Sequence, residues 1–181
     1  WETNISEWVS YYGRNLDEFH LPLNFFFMNT AWNGRNIRGL VYRVEAWLPK
    51  GAWPNWALGN HDIGRFVSRY GNQFSRLGAM LLLTLRGTPI LYYGDELGMS
   101  DVDVPPGRIR DRFGRDRART PMQWDESANA GFTQGDSWLP VGDPREANVV
   151  KQQSDPTSLL NLYRKLIWLR ERNYALRLGN Y

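Results

Sequence analysis

The chain of 181 residues is long enough for one domain with a sizeable core, and its 42% hydrophobic and 23% charged residues are ordinary for a globular protein. A net charge of +3 is too small to call for a polyanionic partner. With no Cys and only two His, the sequence excludes a disulfide framework and a thiolate metal site, and it argues against a multi-histidine one.

Residues 1–14 place Ile5, Trp8, Val9 and Tyr12 at helical spacing, and Gly13 reads as the helix stop. Residues 19–28 are apolar and aromatic, interrupted by Pro22, and predict a strand. Ile37, Leu40, Val41, Val44, Trp47 and Leu48 follow the spacing of a helix with one buried face, stopped by Pro49 and Gly51. Residues 56–59 predict a short buried strand. Phe74, Leu77, Leu81, Leu82 and Leu85 mark the next helix, and Gly87 ends it. Residues 89–93 then predict a strand, with Pro89 at its start, where a missing N–H is tolerated. The alternation of helix and strand argues for an α/β fold with parallel strands and crossover helices.

That rhythm breaks over residues 94–155, which are rich in Gly, Pro, Arg and Asp and show no sustained period. Loops of such length in compact domains are functional or disordered. Asp155-Pro156 reads as an N-cap followed by Pro at the first helical position. Leu159, Leu162, Tyr163, Leu166 and Leu169 predict a final amphipathic helix. No signal-peptide pattern, membrane-length apolar run, internal repeat or low-complexity segment is evident. The 14% of aromatic residues, with nine Trp and nine Tyr, fit either a packed core or a sugar-stacking surface.

The chemistry concentrates where the strand at 56–59 runs into Asn60-His61-Asp62. Polar residues at the end of a buried strand are where barrels and open α/β sheets put their sites. An Asp beside a His there can hold sugar hydroxyls or steady a developing positive charge. The other reading is that Asp62 caps the next helix while His61 is a satisfied rim residue. Spacing alone does not separate the two.

Three motifs do carry a specific signal. Asn60-His61-Asp62 after an apolar strand resembles the fourth conserved region of the α-amylase superfamily of glycoside hydrolases. Gly87-Thr88-Pro89-Ile90-Leu91-Tyr92-Tyr93-Gly94-Asp95-Glu96-Leu97-Gly98-Met99 looks like that family's last barrel strand and the loop leaving it. Arg119-Thr120-Pro121-Met122-Gln123-Trp124-Asp125 resembles a signature of its α-glucosidase and oligo-1,6-glucosidase branch. The resemblance implies an α/β fold, a partial TIM (β/α)8 barrel comprising strands six to eight with their helices and a long loop after the last strand. Three strand units cannot close a barrel that typically takes about 250 residues. Residues 1–174 would then be the C-terminal part of the catalytic domain, and residues 175–181 would begin a following β-domain. The N-terminal part of the same barrel becomes an expected partner, and a bacterial-type cytoplasmic location is implied.

Members of that family cleave α-glucosidic bonds with retention, one carboxylate acting as nucleophile and another as acid, then base. By resemblance, Asp62 matches a third carboxylate that holds hydroxyls of the cleaved sugar, and His61 donates to the same sugar. Arg119 matches an Arg that holds the non-reducing-end sugar through its 4-hydroxyl, which makes the enzyme exo-acting. The bland reading of Arg119 is a loop Arg paired with Asp116 or Asp125. Arg65 completes the branch's Asn-His-Asp-x-x-Arg pattern as a substrate-binding residue, although Gly64 stands where many members have Pro. Asp95 and Glu96 read as loop-stabilising. The nucleophile lies upstream on this reading, and the acid falls just before Trp1. Glu2 sits slightly late and is not assigned, so the chain alone is expected to be inactive. No cofactor and no catalytic metal are implied, and the substrate is an α-glucoside oligosaccharide or disaccharide.

Two rival classes remain. The six Arg and two Asp of residues 108–119 would suit a phosphate-seeking, nucleic-acid-binding loop, but the surrounding chain is not strongly basic. A non-catalytic barrel, kept as a scaffold or transporter partner, typically loses its catalytic residues, whereas Asp62 and Arg119 are retained here. Trehalose synthases and sucrose isomerases share the framework, so transglycosylation stands beside hydrolysis. Neither nucleic acid nor a membrane is expected as a partner.

Overall fold

A computed structural model describes residues 4–179. The expectation on Glu2 therefore lies outside the described residues. The first helix, α1 (Ile5–Ser10), is capped by Asn4, whose side chain accepts from the Ser6 N–H. It buries Trp8, and Gly13 follows with φ +77°, a conformation that glycine adopts without steric cost. Helix α2 (Gly34–Trp47) starts at Asn33, which accepts from the Asn36 N–H at 2.9 Å. Its apolar stripe of Ile37, Leu40, Val41 and Val44 is buried, as the spacing predicts.

Two parallel strands follow, β1 (Asn55–Ala57) and β2 (Thr88–Ile90), registered Asn55 to Thr88, Trp56 to Pro89 and Ala57 to Ile90. Between them run α3 (Phe66–Tyr70), which the sequence pattern does not single out, and α4 (Ser75–Thr84). Gly78 of α4 leaves room for the side chains of Leu58, just after β1, and Phe66 of α3. A Cβ there would stand 3.1 Å from Leu58 and 3.2 Å from Phe66. Helix α5 (Val149–Ser154), α6 (Leu159–Arg172) and α7 (Tyr174–Leu178) complete the described elements. Trp8, Phe27, Val44, Trp56, Leu58, Phe66, Leu82, Leu83, Tyr163 and Leu166 form one continuous core between strands and helices. Each such side chain contributes roughly 1.5–3 kcal/mol relative to exposure.

Three expectations need correction. Residues 19–28 form no strand; the chain runs irregularly into a 3₁₀ turn, Phe26–Asn29. The cause is the Asn55 side chain, which accepts from the Asn24 N–H at 2.9 Å and donates to the Pro22 carbonyl at 2.6 Å. A side chain thus takes the backbone groups that a ladder would pair. Asp155 does not cap α6, because its carboxylate is held by the Thr157 N–H and hydroxyl at 2.8 and 2.7 Å. Ser158 caps instead, accepting from the Asn161 N–H at 3.2 Å. Finally, the irregular stretch after β2 ends at α5 rather than at residue 155, and it is punctuated by short 3₁₀ turns. Residues 175–178 lie within α7.

Candidate active site

The site forms where both strands end. After β1 the chain turns through Asn60, whose side-chain oxygen accepts from the Asp62 and Ile63 N–H groups at 2.9 and 3.1 Å. This Asx turn presents His61 and Asp62 outward: the His61 side chain is 67% exposed and that of Asp62 19%, with 3.4 Å between Nε2 and Oδ1. After β2, the hydroxyls of Tyr92 and Tyr93 donate to the carbonyls of Ala118 and Thr120 at 2.9 and 2.7 Å. Burial raises the Tyr92 hydroxyl well above its ordinary pKa, so it stays a donor. These two bonds draw the 3₁₀ turn Arg115–Ala118 and Arg119 across the strand ends.

Two guanidiniums converge on Asp62. Arg115 Nη1 donates to Oδ1 at 2.8 Å and Arg119 Nη2 donates to the same oxygen at 3.0 Å. Arg119 Nε also donates to the His61 carbonyl at 2.7 Å. Oδ2 of Asp62 makes no hydrogen bond among the described residues. Arg115 is itself aimed by Asp111, which accepts from its Nε at 3.0 Å and its Nη2 at 2.6 Å. That hydrogen bonding holds the Asp111 carboxyl well below the usual carboxylate range. Asp116 sets the preceding turn by accepting from the N–H groups of Arg110 and Asp111 at 2.6 and 2.7 Å.

A cavity of about 270 Å³ opens beside Asp62, lined by Asn24, Met28, Gly59, His61, Asp62 and Tyr92 among others. It lies near the lower bound of small-molecule sites, roughly 300 Å³. Its wall combines apolar surface with a few converging polar groups, which suits a ligand rich in hydroxyls. Among the described residues no group of three or more His, Asp or Glu is placed to hold a metal ion.

The structure thus brings Asp62, His61 and Arg119 together, and the pairing of Arg119 with Asp116 or Asp125 does not occur. Asp125 accepts from Ser127 instead. Arg65, expected as a substrate-binding residue, is not brought to the cavity and is fully buried. Its guanidinium donates to the Tyr93 carbonyl at 2.6 Å and lies 4.7 and 5.2 Å from the ring centroids of Tyr93 and Tyr92. It packs against the residues that follow β2. Glu96 folds back to accept from the Gly94 N–H at 2.8 Å, the loop-stabilising contact expected of it.

Arg115 and Asp111 are the residues that sequence reasoning missed. The available signal was the spacing of two Arg four apart inside the basic stretch. That stretch is not a free cationic surface. Arg108 bonds to Ser137, Arg115 and Arg119 to Asp62, and Arg117 pairs with Asp101 at 3.3 Å.

Parallel strands joined by helices, with a carboxylate and two guanidiniums at their carboxyl ends, define the α/β class in which barrels and open sheets place their sites. The sequence model of one family, alpha amylase, catalytic domain, matches residues 16–179. The chain belongs to that family, which has the TIM-barrel fold. It is 38% identical over 187 residues to Maltase A1 of Drosophila melanogaster, covering 93% of this chain and 32% of that protein. It is 37% identical over 180 residues to the amino acid transporter heavy chain SLC3A1 of Homo sapiens, covering 97% of this chain and 26% of that protein. Among solved structures, an isomaltulose synthase mutant of Erwinia rhapontici in complex with D-glucose superposes with TM-score 0.86 at 29% identity. That match covers 98% of this chain and 40% of the synthase. The chain therefore spans between about a quarter and two fifths of these proteins' lengths.

Proposed function

We propose that the chain supplies the sugar-holding side of a retaining glycoside hydrolase, one that cleaves α-glucosidic bonds at the non-reducing end of short oligosaccharides or disaccharides. The single observation carrying this reading is the convergence of Arg115 and Arg119 on one oxygen of Asp62 at the mouth of a cavity. On this reading Asp62 accepts from hydroxyls of the cleaved sugar through Oδ2 and favours the oxocarbenium-like transition state by its charge. His61 donates to the same sugar. Arg119 holds the non-reducing-end sugar through its 4-hydroxyl, which limits cleavage to chain ends. The chain is the C-terminal part of the barrel, with β1 and β2 as two of its strands. The nucleophile and the acid/base come from outside the described residues. The lengths of the relatives support that division, since each extends far beyond the matched part.

A second reading, transfer of the glucosyl group within the substrate rather than to water, is supported by the likeness to an isomaltulose synthase. The likeness to a transporter heavy chain favours a third, a barrel without catalysis. One experiment separates all three: the natural gene product assayed on maltose, isomaltose, sucrose and trehalose, with products resolved by chromatography. Hydrolysis gives free glucose, isomerisation gives a new disaccharide, and a scaffold gives neither. Asp62→Asn is expected to lower kcat by roughly 10²–10³, the loss seen when one preorganised stabilising group is removed. Full activity in that variant would overturn the role given to Asp62.

A further inference from the structure

The loop that presents Asp62 is secured from behind by one side chain that no motif points to. Arg69 of α3 donates through Nε to the Gly64 carbonyl at 2.7 Å and through Nη2 to the Leu58 carbonyl. Those carbonyls are the two ends of the loop 58–64 that carries Asn60, His61 and Asp62. The same guanidinium donates through Nη1 to the Met28 carbonyl at 2.9 Å and to the Tyr70 hydroxyl at 3.1 Å. Tyr70 in turn donates to the Thr30 carbonyl at 3.1 Å. Met28 and the loop residues Gly59, Asn60, His61 and Asp62 all line the cavity. A single rigid fork therefore sets both the closure of the loop and its separation from Met28. Lys, with a compact charge on a flexible stem, cannot span three carbonyls in this way.

We propose that Arg69 is a positioning residue of the site, holding the Asp62 loop closed and at a fixed distance from Met28 while touching no substrate itself. The catalytic consequence rests on the hydrolase reading above; the mechanical one does not. The role differs from that of a core cross-link because the carbonyls bound belong to the two ends of one functional loop.

The test uses the natural gene product with Arg69→Met, Arg69→Lys, Asp62→Asn and the double variant Asp62→Asn/Arg69→Met. Amide hydrogen exchange is followed over residues 58–64, and kcat and KM are measured on maltose. In Arg69→Met the loop amides are expected to exchange roughly tenfold or more faster, while those of α4 and α6 keep their protection. The kcat is expected to fall roughly 10²-fold, as for an angstrom-scale misplacement, with KM changing less. The double variant should be nearly as active as Asp62→Asn alone, because both changes act through one carboxylate. Arg69→Lys, which keeps charge and stem, covers the case in which Arg69→Met does not fold, and it should recover little of either loss. Unchanged loop exchange, full recovery by Arg69→Lys, or additive losses in the double variant would each overturn the proposal. A parent inactive on every α-glucoside, with the loop loosened in Arg69→Met, would overturn the hydrolase reading and leave the fork standing.

Discussion

Asp62 shares one oxygen between two guanidiniums whose side chains are about a third and a quarter exposed. At such exposure water screens the pairs, and each adds only about 0–1 kcal/mol to folding. Their effect is on orientation: two guanidiniums on Oδ1 hold the carboxylate in one rotamer and leave Oδ2 without a hydrogen bond among the described residues. Arg119→Met is therefore expected to leave Tm nearly unchanged while lowering kcat/KM on maltose by roughly 10–10²-fold, the worth of a hydrogen bond to a charged group. A large Tm loss with normal kinetics would make Arg119 a structural residue instead. Asp95 behaves differently, since burial pushes its carboxyl up to about 7, against the lowering effects of Arg65 and Arg69. The folded state then keeps a proton that the unfolded chain releases near the ordinary carboxylate range. The resulting stability is full below about pH 4 and is lost as pH rises to about 7. Glu96, also raised by burial, adds with the same sign. Asp95→Asn should thus show a smaller fall in Tm than the parent between about pH 5 and about pH 8. Parallel melting curves would contradict it. At this scale the meeting of Asp62, His61 and Arg119 was legible because each sits inside a motif read along the chain. Arg115 was not, since its meaning depends on a partner 53 positions away. The burial of Arg65 was not legible, because pattern carries no information about burial.

Elements were legible where one face repeats. The stripes of α2 and α6 announce themselves, and so does the run of α4, because burying such a face is what stabilises a helix of this length. The segment 19–28 looked equally apolar but lost its ladder to Asn55, a contact made across 31 residues. The first residue of α6 was misjudged because Asp155 and Ser158 are both good caps, and a local turn with Thr157 captured the Asp. The packing of α4 on α6 also depends on a residue that periodicity does not mark. Arg170 donates to the carbonyls of Leu83 and Leu85 at 3.0 and 2.8 Å and also to Gly87. These are the groups that the end of α4 and the turn into β2 leave without helical partners. Arg170→Met preserves the stem but strands those carbonyls, and it is expected to cost about 2–3 kcal/mol in urea denaturation. A loss within error would mean that water replaces the guanidinium at no cost.

The whole molecule exposes more surface than its mass requires. Its accessible area is 10643 Å² for 21.1 kDa, against the ~9,000 Å² expected of a folded monomer of that size. The excess has a location. Strands β1 and β2 pair only with each other among the described residues, so each keeps an open edge, and Leu23, Leu91 and Tyr93 stand exposed around the strand ends. Open edges next to uncovered apolar side chains recruit other chains. The 181 residues produced by themselves are therefore expected to bind a hydrophobic dye, to associate as concentration rises in sedimentation velocity, and to turn over no maltose. On the proposed reading, in which the rest of a barrel covers the same edges and side chains, the natural gene product should do neither of the first two. A monodisperse, dye-silent chain of 181 residues would mean that the fold closes its own edges in solution. In that case the cavity beside Asp62 would need no further wall, and the search for the nucleophile would have to return to the carboxylates already in view.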